Sequence, residues 1–134
     1  MGIMSGMFLT LHGLVHLLYF GQSARLFELR TGMVWPDGSW AFAGLLGNGT
    51  TRIIACIACV VAAIGLVAGS IGIFATQAWW RPLVVASGAF SAAAFVLLWD
   101  GKTQMLANNG LFGLLINLAI LVALLVFRWP RLGF

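Results

Sequence analysis

Four apolar stretches, each close to the length of a bilayer crossing, decide what this chain can become. They run from about Ile3 to Gly21, Arg52 to Ala75, Pro82 to Trp99 and Leu111 to Phe127. A helix spans the hydrocarbon with about 20 apolar residues, and lipid leaves a helix as one of the few ways to satisfy every backbone group. The sequence therefore predicts an all-α integral membrane protein. Its architecture is expected to be an antiparallel four-helix bundle, one domain over residues 1–134, with a long first extramembrane loop. Composition agrees: charged residues make up 7% of the chain, against about 25% in a soluble domain that must cover its surface.

The net charge of +4 comes mainly from arginines near the ends of the apolar runs. That distribution suits lipid headgroups, and no basic cluster points to nucleic acid. Two cysteines are too few for the disulfide framework of a small secreted domain. The start lacks the basic region of a cleavable signal. Gly2 invites a myristoylation reading, but Gly6 stands where that motif needs Ser or Thr. The first run is thus expected to be a retained transmembrane helix.

The connections differ in kind. "TQAWWRP" is short and aromatic, as an interfacial turn should be, and "DGKTQMLANNG" is a polar turn rich in loop formers. The connection Gln22 to Thr51 is far longer; it holds "WPDGSW", a turn flanked by two Trp anchors, and "WAFAGLLG", too short to span and expected as an interfacial cap. Trp79, Trp80, Trp99 and Trp129 sit at helix ends as belt anchors. Four crossings put both termini on one side with Arg81, Arg128 and Arg131; the other side carries Arg25, Arg30, Arg52 and Lys102. The Lys and Arg tally is nearly balanced. All the acidic residues and the long loop lie on the second side, so the termini are assigned to the cytoplasm.

Small residues mark the packing faces. Gly65 and Gly69 have GxxxG spacing, extended by Ala58, Ala62 and Gly72; Ser87 and Ser91 repeat it in the third run, and Gly110, Gly113 and Asn117 line one side of the fourth. Such faces let membrane helices approach closely, within one bundle or between copies of it. The expected partners are accordingly the lipid bilayer, and either a membrane-protein partner or a homo-oligomer.

On the first run Ser5, His12, His16, Tyr19 and Ser23 are spaced seven, four, three and four residues apart, a single helical face. A polar stripe in lipid turns inward, so these residues are expected to line the bundle interior. Counting inward from the membrane surface, His16 falls level with Cys56 and His12 with Cys59. If the first two helices are neighbours, two imidazoles and two thiolates form a ligand set for zinc or copper, with His16 and Cys56 within roughly 3–4 Å. Haem fits less well, because histidines four apart on one helix cannot clasp it from both faces. The plainer alternative makes the cysteines packing residues and the histidines hydrogen-bonding glue or ligand lining. Asp100 and Lys102 flank Gly101 beyond the third run: a solvated turn, or an entrance from which Asp100 feeds a histidine relay. Asn117, well inside the fourth run, reads as helix–helix glue before ligand contact.

No HExxH, GxSxG, phosphate-binding glycine loop or intramembrane acidic pair is present. "LHGLVHLLYF", "FVLLWDGK" and "LLINLAIL" together resemble an uncharacterised group of small bacterial four-helix membrane proteins with an HGLxHLL-type first helix. That resemblance implies the fold and a bacterial inner-membrane location, and no activity. Three readings of function follow. The first is a non-catalytic accessory subunit or a module binding an apolar small molecule or lipid. The second is a metal- or redox-active protein using His12, His16, Cys56 and Cys59. The third is an ion or proton pathway along the histidine stripe.

Overall fold

The computed structural model describes residues 1–104 and 106–134, Asn108 by its backbone only. Its helices are α1 (Gly2–Ser23), α2 (Ala43–Phe74), α3 (Trp80–Leu97) and α4 (Leu111–Leu125), with a short 3₁₀ turn (Leu106–Asn109) before α4 and no strand among the described residues. Of the polar turn before α4, Met105 lies outside the described residues. The helices α1, α2 and α3 are long and apolar enough to cross a membrane. At 15 residues α4 is shorter than expected, about 22 Å against a hydrocarbon core of about 30 Å.

Helix ends follow local backbone chemistry. Three helices close with a left-handed residue and a bond reaching back five or six positions: Arg25 with Leu26 N–H to Gly21 C=O, Thr76 with Gln77 N–H to Gly72 C=O, and Arg128 with Trp129 N–H to Ala123 C=O. This last turn ends α4 at Leu125, before Phe127. The longest helix, α2, starts at Ala43 and not near Arg52, because the "WAFAGLLG" segment supplies a turn fused to it. Gly47 (φ 79°, ψ 164°) breaks the helical path between the two parts, a conformation open to glycine.

Extensive packing joins consecutive helices. Along α1 and α2, Ser23 bonds Arg52 C=O, Thr10 bonds Ser70, and Gly2 lies against Ile73, so the contacts run in opposite chain order. The small residues set how closely helices approach. A Cβ on Gly65 would overlap Ser87, one on Gly69 would overlap Val84 Cγ2, and one on Gly72 would stand 2.8 Å from Trp80 Cβ. The GxxxG face is thus used within this chain, against α3.

Two apolar clusters form the core. One gathers Leu9, Leu66, Ile73, Trp80, Val84, Ile120 and Leu124. The other gathers Met33, Trp35, Ala55, Cys59, Phe95 and Leu98, and the first loop builds it. Gln22, fully buried, holds that loop by donating to Met33 C=O and accepting from Leu29 N–H. Asp37 bridges Arg25 and Arg52. Ser39 Oγ donates to Leu97 C=O and Trp40 Nε1 to Val96 C=O, which ties the loop to α3. Trp35 and Trp80, expected as belt anchors, are 3% and 1% exposed; both serve as core residues.

Candidate functional site

The polar residues of α1, α3 and α4 meet between the two apolar clusters. His12 Nε2 lies 2.8 Å from Asn117 Oδ1, Asn117 Nδ2 lies 2.7 Å from Ser91 Oγ, Ser91 Oγ lies 2.7 Å from His16 Nε2, and His16 Nδ1 lies 3.0 Å from His12 O. All four residues are buried. Donor chemistry gives this circuit one direction. The His12 carbonyl only accepts, so His16 Nδ1 carries the proton that it receives; Ser91 then donates to His16 Nε2, Asn117 Nδ2 donates to Ser91, and His12 Nε2 donates to Asn117 Oδ1. The circuit pairs both ring nitrogens of His16, the Ser91 hydroxyl, both amide atoms of Asn117 and His12 Nε2. A buried network of this kind fixes helix positions.

Of the stripe expected on α1, His12 and His16 enter this circuit and Asn117 joins them from α4. Tyr19, one turn above, packs edge-on against Trp35 and Phe95 at ring distances of 5.2 Å, and Ser23 bonds α2. Ser5 donates to Met1 C=O near the other end of the helix. Ser91 is the member that sequence reasoning missed; its only signal was the four-residue spacing to Ser87 on a small-residue face.

The four-ligand metal centre is not assembled. Helices α1 and α2 are neighbours, as that idea required, but α1 turns its glycine face to α2: a Cβ on Gly13 would meet Val67, Leu66 and the Ala63 carbonyl. The histidines therefore point toward α3 and α4. The register also differs by about one turn, with Cys56 Sγ placed 3.9 Å from Phe20 O. Cys59 packs among apolar residues. Among the described residues no group of three or more His, Cys, Asp or Glu side chains is arranged to hold a metal ion.

Asp100 lies at the loop end of the bundle, beside Gly38. Its Oδ1 accepts the Lys102 N–H at 2.9 Å, so the carboxylate closes its own turn. Between this end and His16 stand the rings of Phe95, Tyr19 and Trp35. The cavity that His16 borders, shared with Cys59 and Ser91, has a volume of about 10 Å³, room for about one water.

Below the polar circuit the bundle is open. An apolar groove of about 670 Å³ runs between α1 and α4, floored by α3, with Phe8, Leu9, Val84, Ile120 and Ala123 among its walls. Phe8 stacks on His12, and Ile120 follows Asn117 by three residues, so the groove stops one helical turn short of the His12–Asn117 bond. At its other end stand Trp129 and Pro130. Compared with known protein families, with curated proteins and with solved structures, the chain shows no match.

Proposed function

We propose that this chain is a non-catalytic integral membrane protein that binds an apolar small molecule or lipid, in the groove between α1 and α4. The groove is the observation that carries the reading: its volume of about 670 Å³ is that of a ligand site, and its walls match hydrocarbon. The paired state of the His12, His16, Ser91 and Asn117 circuit supports a structural role for those residues, which close the bundle above the groove. The opposed contacts of consecutive helices support an antiparallel four-helix bundle whose first loop caps one end. The resemblance of "LHGLVHLLYF" supports a bacterial inner membrane, and the long loop with all the acidic residues on the opposite side supports cytoplasmic termini. Such a module serves as an accessory subunit that presents or stores an apolar molecule.

The test compares wild type with Ala123→Trp, which fills the groove from a half-buried position. Protein purified in mild detergent is extracted with organic solvent, and co-purified molecules are quantified by mass spectrometry. The expected result is an apolar molecule in near-stoichiometric amount, lost in the variant. Equal recovery from both proteins would overturn the reading.

A further inference from the structure

From the chemistry at the mouth of the groove we infer that its occupant is an anionic phospholipid, with an acyl chain in the groove and its headgroup on Arg128 and Arg131. This inference rests on the groove being a binding site and names what fills it.

The argument is one of matched chemistry at two adjoining places. The groove is apolar along its length, and it ends at Trp129 and Pro130. Arg128 and Arg131 bracket those two residues in sequence, and with Arg81 they line a separate cleft of about 560 Å³. Arg81 ties the two sites together, because its Nη2 donates to Pro130 C=O at 2.9 Å while its Nη1 donates to Leu124 C=O, both groove residues.

Side-chain charge at this end is one-sided. The acidic residues Glu28, Asp37 and Asp100 all belong to the loop end, and the ion pairs found among the described residues join Asp37 to Arg25 and Arg52. Arg128 and Arg131 are exposed and have no carboxylate within ion-pair range among the described residues. Guanidinium groups recognise phosphate oxygens in a planar, two-pronged fashion. An apolar slot that ends at Trp129 and Pro130, between a pair of exposed arginines in sequence that line an adjoining cleft, fits a molecule that is hydrocarbon at one end and anionic phosphate at the other. A second copy of this chain fits less well, since it would bring the same arginines to the same mouth.

The experiment uses the full chain in detergent, incubated with phosphatidylglycerol or phosphatidylcholine of identical acyl chains, and reads retained lipid by native mass spectrometry. Three proteins are compared: wild type, Arg128→Gln/Arg131→Gln, and Ala123→Trp. Arg81 is left intact because it caps α4; circular dichroism confirms helicity in each variant. Expected is retention of one phosphatidylglycerol, about tenfold or more above phosphatidylcholine, with the preference abolished by the double Gln variant and both lipids excluded by Ala123→Trp. Equal retention of the two lipids, both lost in Ala123→Trp, would overturn the anionic assignment and leave the groove reading standing. A preference that survives the double Gln variant would likewise overturn it. Retention unaffected by Ala123→Trp would overturn both readings. A dimer mass lost in Ala123→Trp would assign the groove to a second copy instead.

Discussion

His12 Nε2 stands 2.8 Å from Asn117 Oδ1, which joins the first helix to the last across 105 residues of sequence. Consecutive helices pack along their lengths, whereas α1 and α4 leave a groove between their lower halves. The bond is therefore a clasp at mid-height. Asn117→Leu would leave the His12 donor without its partner and remove the bond that Ser91 accepts, while Ser91 keeps His16, at an expected cost of about 1–2 kcal/mol. The sharper measurement is a double-mutant cycle of His12→Ala and Asn117→Ala, followed by SDS unfolding in mixed micelles. A coupling of about 0.5–1.5 kcal/mol is expected. Strictly additive losses would mean that the bond does not hold the helices together.

Close approach of α2 to α3 sets a second expectation. A Cβ at Gly69 would overlap Val84 Cγ2, whereas one at Gly49 meets nothing within 4 Å. Gly69→Ala should destabilise the fold by about 1–3 kcal/mol, since Val84 must move within a packed interface. Gly49→Ala should be neutral or stabilising by up to about 1 kcal/mol, as alanine is the better helix former. Thermal melts of the two variants beside wild type decide it. Equal behaviour would show that the Gly69 contact is loose.

The contrast between these positions explains how much the sequence could disclose. The apolar runs were legible because lipid penalises unpaired backbone over a fixed length, a constraint that acts along one dimension. His12, His16 and Asn117 were legible as inward-facing for the same reason. Which helix they would face was not. A membrane helix has no hydrophobic drive to orient it, so the direction is set by small-residue contacts, and Gly13 against Ala63–Val67 turned the histidines from the cysteines toward α3 and α4. Ser91 was hidden because a serine on a small-residue face looks like packing. The start of α2 and the burial of Trp35 were hidden because Gly47 and "WPDGSW" carry loop chemistry, while the long-range bonds of Gln22 and Ser39 that fold this loop inward leave no periodic mark.

Asp37 makes the first loop sensitive to acid. Partial burial disfavours its ionised form, but the hydrogen bonds and charges of Arg52 and Arg25 outweigh this and hold the carboxyl below its usual range. A carboxylate with a depressed folded-state pKa contributes stability above its unfolded pKa and loses it as pH falls through the folded one. The loop should thus stay docked from neutral pH down to the ordinary carboxylate range and loosen only below it. Asp37→Asn should loosen it at neutral pH by about 1 kcal/mol, a modest figure because Arg52 is partly exposed and solvent screens the pair. Hydrogen exchange over residues 25–41 reads this directly. Protection unchanged in Asp37→Asn would assign the docking to Gln22, Ser39 and Trp40 alone.

At the opposite end, Arg81 holds the C-terminal segment. Its guanidinium donates to Leu124 C=O at 3.2 Å and Pro130 C=O at 2.9 Å, and lies 5.1 Å from the Trp80 ring centroid. It therefore satisfies a carbonyl in the last turn of α4 while stacking on a buried indole. Lysine keeps the charge but loses the planar fork that reaches both carbonyls. Arg81→Lys should cost about 1–2 kcal/mol and free residues 126–134, which limited proteolysis would register as faster cleavage after Arg128 or Arg131. Arg128→Gln, at an exposed position, should leave the melting temperature unchanged. If Arg81→Lys and Arg128→Gln melt alike, the segment is held by the packing of Leu132 against the core instead, and the role of Arg81 reduces to its charge.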